Sequence, residues 1–279
     1  MVRQAASPVH PASRTIRRAR QRASEDGSLV RGTGRGLSLP VSSEEWERLA
    51  PYLPFGLVLS DAAGPIERAQ GLLKRMLLTL RLHPGQKVPL DVIAAELSVS
   101  RTPVREAMRL LEGEGLVRAL PNRGFAVQVT SIDETAHLFD ARACIEATTA
   151  VAAFDRRTDA FLDDIRAIEQ TYRRILTATM NRRIAMVCDK AFHLRISEQA
   201  GNPVLTDMQR KLFDAVTFTR ALDGFPVERS AAAIAEHEEI LEALQGSSRE
   251  RVRKAALANV TRGRDSIIAY LRATSLEPG

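Results

Sequence analysis

The chain has 279 residues, 44% of them apolar, 5% aromatic and 27% charged, with a formal net charge of +6. That is enough apolar sequence for a full core in one large or two ordinary domains, which excludes disorder throughout, and the scarcity of aromatics argues against an all-β architecture. No run approaches the roughly 18 apolar residues of a membrane span, and the N-terminus lacks the apolar stretch of a secretory signal, so a cytoplasmic protein with no membrane partner is expected. Cys144 and Cys188 stand far apart, outside any metal-finger spacing, and read as small core residues.

Residues 1–40 hold eight arginines against two acids, with Arg14, Arg17, Arg18, Arg20 and Arg22 set among Ser, Gly and Pro. Without a sustained apolar period this stretch reads as a disordered basic arm, either a solvated tail or a source of unspecific phosphate attraction. A short helix is expected near Ser43–Tyr52, with Trp46, Leu49 and Leu53 on one side and no assigned role. Residues 1–65 are together taken as an N-terminal extension.

Residues 66–129 carry ten Lys and Arg against six acids, and their local signals follow one another closely. Ile66 to Leu80 has the helical apolar period and stops at His83-Pro84-Gly85. Leu90 to Leu97 repeats it for two turns before Ser98-Val99-Ser100. A third helix is expected with Thr102 as its cap and Pro103 at the first position, running to about Glu112. On it Val104, Ala107, Met108 and Leu111 share one side, while Arg105 and Arg109 stack on the other. Leu116–Leu120 and Phe125–Val129 then pair as a ribbon across Pro121-Asn122-Arg123-Gly124. The series is a winged helix-turn-helix. Arg105 and Arg109 would enter the major groove, Arg101 and Thr102 suit phosphate at the helix start, and Gly124 beside Arg123 lets the wing approach the minor groove.

Residues 130–279 are nearly neutral, with twenty-one basic against twenty-two acidic residues, and their pattern is helical. Asp189 and His193, four apart on a helix from about Asn181 to Ala200, point the same way and could grip one divalent ion. His237, with Ile240, Leu241 and Leu244 as inward neighbours, could join them across a bundle interior. Read alone, such residues are more often a hydrogen-bonded structural pair and a satisfied core histidine. Two further helix pairs, near Thr158–Met180 and Asn202–Leu222, read as bundle walls or dimer surface.

His83-Pro84-Gly85-Gln86-Lys87-Val88, the run from Ser98 to Glu112 (SVSRTPVREAMRLLE) and Glu114-Gly115-Leu116-Val117 resemble the N-terminal signature of the GntR transcription regulators. One position departs from it: Asp91 opens the second helix where the family commonly has a basic residue. Leu138 to Glu146, Asp189-Lys190-Ala191-Phe192-His193 and Gly201-Asn202-Pro203 resemble the FCD effector domain of the FadR-type branch. The resemblance implies a mainly α protein: a winged helix-turn-helix at 66–129, and an antiparallel bundle of six or seven helices at 130–275 that binds a small molecule and holds a homodimer. It also implies a metal site of one Asp and three His, with Asn259 where the third histidine is expected. Asn coordinates only through its carbonyl oxygen and suits a harder ion than imidazole does, so Zn, Ni and Mn all remain candidates, as does an empty site. A small carboxylate effector would ligate the ion while Arg142 pairs with it; the plain alternative for Arg142 is an ion pair with Glu146 four residues on. The function expected is a ligand-responsive regulator, a repressor released from a palindromic operator. A metal-dependent hydrolase and a nucleic-acid-coating protein are its rivals.

Overall fold

The computed structural model describes residues 41–54, 64–78, 81–179, 182–220 and 227–275. The basic arm before position 41, Leu80, Met180, Asn181 and Leu222 lie outside the described residues. The elements in chain order are α1 (Ser43–Leu49) followed by a 3₁₀ turn (Ala50–Tyr52), α2 (Pro65–Leu78), α3 (Leu90–Leu97), α4 (Arg101–Gly113), β1 (Val117–Leu120), β2 (Gly124–Val127), α5 (Ile132–Asp155), α6 (Asp159–Arg174) with a π turn (Ile175–Thr179), α7 (Arg182–Gln199), α8 (Pro203–Arg220), α9 (Val227–Gln245) and α10 (Arg249–Ser275). The mainly helical class expected from composition is the one found. Among the described residues, 159–179 and 203–220 are each one continuous helical stretch rather than a pair of helices, because neither contains a breaker before its end.

The winged module has its own core, in which Leu73 and Leu77 of α2, Ile93 of α3 and Val104, Met108 and Leu111 of α4 are fully buried with Val127 of the wing. Ser98 ends α3 in the left-handed conformation at φ 54°, and its short polar side chain tolerates that conformation. The cap of α4 is Ser100, not Thr102: the helix begins at Arg101, and Pro103 falls at its third position. There its missing N–H still costs nothing, since the first turn has no intrahelical acceptors. β1 and β2 pair antiparallel with Val117 opposite Val127 and Leu120 opposite Gly124. Gly124 has φ 89°, a conformation open to glycine at little cost. The ribbon gains a partner that its sequence does not announce: Val88 N–H donates to Phe125 O at 2.8 Å and Val127 N–H to Gln86 O at 2.9 Å. The chain before α3 thereby covers the outer edge of β2.

Six helices, α5 to α10, form the C-terminal bundle, with α5 packed along α10 and touching α7 and α8. A capping box at Ser131, reciprocal with Glu134, starts α5 directly after the wing. Cys188 lies in this core, but Cys144 is exposed; the inward face of α5 is set by Arg142, Ile145, Glu146 and Thr149, which leaves position 144 on the outer side.

The expected helix near Ser43–Tyr52 is present and docks on the bundle, so this part of the extension is folded. Leu49, Tyr52 and Leu53 are buried with Phe161, Ile165 and Phe192 in the bundle core, and Trp46 packs against its edge. Polar ties surround them. Glu45 takes the Arg174 guanidinium at 2.7 and 2.8 Å and the Thr171 hydroxyl at 3.1 Å, Tyr52 donates its hydroxyl to Glu198 at 2.7 Å, and Lys190 reaches Leu53 O at 3.4 Å. Asp164 joins Arg48 of α1 to Arg195 of α7 at 3.1 and 2.6 Å. Leu49→Ala should lower stability by about 2–5 kcal/mol, as cavities in packed cores do. Trp46 is the single tryptophan, so its emission should shift to the red at lower urea in the variant; an unchanged midpoint would show that this segment adds nothing to the bundle.

Candidate functional site

The surface that faces away from the winged module's core is cationic because the period of α4 makes it so. Val104, Ala107, Met108 and Leu111 are buried, and Arg101, Thr102, Arg105 and Arg109 on the same helix are exposed, as is Arg123 at the wing tip. Among the described residues Arg105, Arg109 and Arg123 form no salt bridge, whereas Arg101 is clasped by Asp91. Glu112 ties the wing to α4 by accepting from Ala119 N–H at 2.7 Å. Arg105, Arg109 and Arg123 therefore offer uncommitted donors from α4 and from a wing tied to it.

Inside the bundle, residues from five helices converge on a second site. Asp189, His193 and His237 each present a ligand atom, all within 4.8 Å of one another and all buried. The structure thus brings together α7 and α9 as their sequence spacing suggests. Each ring is held from behind by a buried glutamate. His237 Nδ1 is 2.6 Å from Glu169 Oε2 of α6, and His193 Nδ1 is 2.9 Å from Glu146 Oε2 of α5. A carboxylate on Nδ1 leaves Nε2 as the ligating atom. His237 is further fixed by stacking on Phe192, with centroids 4.3 Å apart. Its Nε2 has no hydrogen-bond partner, although Asp189 Oδ1 lies 3.5 Å away. A buried imidazole nitrogen left unpaired among an acid and a second imidazole fits a cation.

The environment of these groups is strongly perturbed. Burial disfavours a charged His237 ring, but the nearby Asp189 and Glu169 carboxylates outweigh it and push its pKa up to about 9. Burial likewise opposes an ionised Glu146, and the Arg142 and His193 beside it reverse the balance and hold its carboxyl below the usual range. Arg142 makes the ion pair with Glu146 that its spacing allows, Nε to Oε1 at 2.8 Å, while its guanidinium carbon sits 3.9 Å from the centroid of Phe213. It also lines the cavity that opens onto Asp189 and His193, together with Tyr172 and Leu176.

Asn259 of α10 lines the same cavity. Its amide donates to Glu236 Oε2 at 3.0 Å, and Glu236 is clamped by both Nη groups of Arg229 at 2.8 and 2.6 Å. Glu169, Glu236 and Arg229 were not singled out by sequence reasoning. Glu169 carries a signal in hindsight, since it shares the inward face of α6 with Ile165, Ile168 and Tyr172, where an acid requires a partner.

A histidine whose folded pKa lies above its unfolded value of about 6.5 stabilises the fold below that value, and the contribution is lost as pH rises through the folded pKa. In chelator, unfolding free energy should therefore fall by about 3 kcal/mol between pH 6.5 and 9, and Glu169→Gln should flatten the fall. A Glu169→Gln curve with the wild-type slope would rule out this coupling.

Comparison with known proteins bears on both sites. Residues 65–127 match the gntR family of bacterial regulatory proteins, and residues 137–262 match the FCD domain. The chain is 30% identical over 193 residues to the Uxu operon regulator of Haemophilus influenzae, across 61% of this chain and 70% of that protein. It is 26% identical over 205 residues to the Nta operon transcriptional regulator of Aminobacter aminovorans, across 72% and 94%. The fold of E. coli McbR/YncC is similar, with a TM-score of 0.64 at 20% identity over 75% of this chain and 99% of that one. The Uxu and Nta relatives, like the matched gntR family, are regulators rather than enzymes, which sets aside a hydrolytic role for the Asp and His cluster. The chain belongs to the GntR family of bacterial regulatory proteins, with an FCD domain as its C-terminal half, and is a DNA-binding transcription regulator.

Proposed function

We propose that the protein is a homodimeric repressor that reads a short inverted repeat through α4 and the wing, and that a small organic acid bound in the bundle releases it. On the DNA side, Arg105 and Arg109 pair with base edges or fix phosphates, Arg101 and Thr102 sit at the helix start, and Arg123 and Gly124 approach the backbone from the wing. The observation that carries the effector half is the buried Nε2 of His237, which makes no hydrogen bond and faces Asp189 and His193 beside Arg142.

A divalent ion, Zn, Ni or Mn, would be held by Asp189, His193 and His237, and once bound it supplies positive charge that attracts a carboxylate. Asn259 is the fourth candidate ligand. Glu236 can only accept, so the amide must turn its NH₂ to it and keep Oδ1 on the other side; the donor offered is an oxygen, which suits Mn better than an all-histidine set would. Arg142 would give its remaining N–H groups to the same carboxylate while Glu146 holds its Nε. Ligand then acts by favouring one of two dimer arrangements over the other.

Selection of bound sequences from a random duplex library at near-physiological salt should return a two-fold symmetric motif. Arg105→Ala should weaken binding to that motif by about 1–3 kcal/mol and relax its sequence preference while the helical circular-dichroism signal stays intact. Binding that follows only phosphate number and salt would favour the coating role instead. Mn or Zn should raise the melting temperature of the chelator-stripped protein, and His193→Ala or His237→Ala should abolish the rise. A chain that gains no stability from any divalent ion would remove the metal from the scheme.

A further inference from the structure

Asp91 is the second residue of α3 and Arg101 the first of α4, and the carboxylate clasps the guanidinium with both oxygens: Nε donates to Oδ1 and Nη2 to Oδ2. Each side chain is 70% exposed. A pair so open to water adds little to folding, because solvent screens it. An acid beside the cationic face of α4 also repels phosphates, weakening attraction to every duplex alike. Neither stability nor general affinity accounts for the clasp.

Guanidinium geometry supplies a reason. The planar group carries five N–H donors. Nε and the adjacent proton of Nη2 make up the edge given to Asp91, which leaves Nη1 and the second proton of Nη2 as a parallel pair on the other edge. Among the described residues nothing else engages Arg101. Two parallel donors match O6 and N7 of guanine in the major groove. A free arginine on a long stem serves phosphate and base alike; a clasped one has given up its rotamer freedom beforehand and meets a base in one orientation. Its charge is also balanced, so it adds little to unspecific attraction.

We propose that Asp91 is a positioning residue for DNA recognition, holding Arg101 so that its free edge reads a guanine in each half-site. Asp91 thereby sets specificity without contacting a phosphate. The inference rests on α4 lying in the major groove, where residues of its first turn face base edges.

Sequences are selected from a random duplex library by the full-length wild type and by Asp91→Ala, Arg101→Ala and Arg105→Ala, with circular dichroism confirming that each variant is folded. Asp91→Ala and Arg101→Ala should lose preference at the same guanine, by about 5- to 150-fold in discrimination, and Arg105→Ala at a different position. Asp91→Ala should in addition bind unrelated duplex more tightly than the wild type does. A motif unchanged in Asp91→Ala overturns the clasp and leaves groove docking intact. So does a preference lost in Asp91→Ala but kept in Arg101→Ala, which would mean that the carboxylate itself reads a base. A wild type that enriches no motif overturns the clasp and the groove docking together.

Discussion

Glu146, Glu169, Asp189 and Glu236 are all at least 95% buried, and charges taken out of water are tolerated only when the interior answers them. In this bundle the answers come from other helices. Glu169 of α6 is met by His237 of α9, and Glu236 of α9 is met by Asn259 of α10. Glu146 of α5 is met both by Arg142 one turn before it and by His193 of α7. Two of these buried carboxylates also pair within their own helix, Glu146 with Arg142 and Glu236 with Arg229, and each takes a second partner from a neighbouring helix. The bundle's interior polarity and its interhelical order are one property, and moving any of these helices strands a charge.

That arrangement also gives α5 a special position. It begins at a capping box four residues after the last wing strand, and Arg142 lies about 15 Å along its axis. The helix leaving the DNA-binding module thus carries the cation that faces the cavity. Competition between a ligand and Glu146 for Arg142 would act on the connecting element itself, with no intermediary.

Periodicity made much of this legible. The buried side of α4 could be read from Val104, Ala107, Met108 and Leu111, and the convergence of Asp189, His193 and His237 from one i, i+4 pair and an inward-facing helix position. Elements encoded by distant partners were not readable in the same way. The strip at Lys87 that covers β2 has no strand pattern of its own, because its pairing comes from the wing. Glu169 falls on the inward period of α6, but nothing on that helix names His237 as its partner. Cys144 shows the converse limit: small apolar composition alone does not say which side of a helix faces in, and here Arg142 and Glu146 claim the inner side that a hydrophobicity argument would have given to the cysteine.

The docking of residues 43–53 onto α6 and α7 alters the topology of the whole chain. The winged module is flanked on both sides by sequence seated in the bundle, so in connectivity it is an insertion into the C-terminal domain rather than a bead ahead of it. Its two attachment points are the exit after Leu53 and the return at Ile132. A body held by a single strand can swivel in every direction, but one held at two separated points turns chiefly about the line joining them. The orientations in which such a module can present itself to a duplex are correspondingly fewer, and the entropy given up in reaching the bound pose is smaller before any contact with DNA is made.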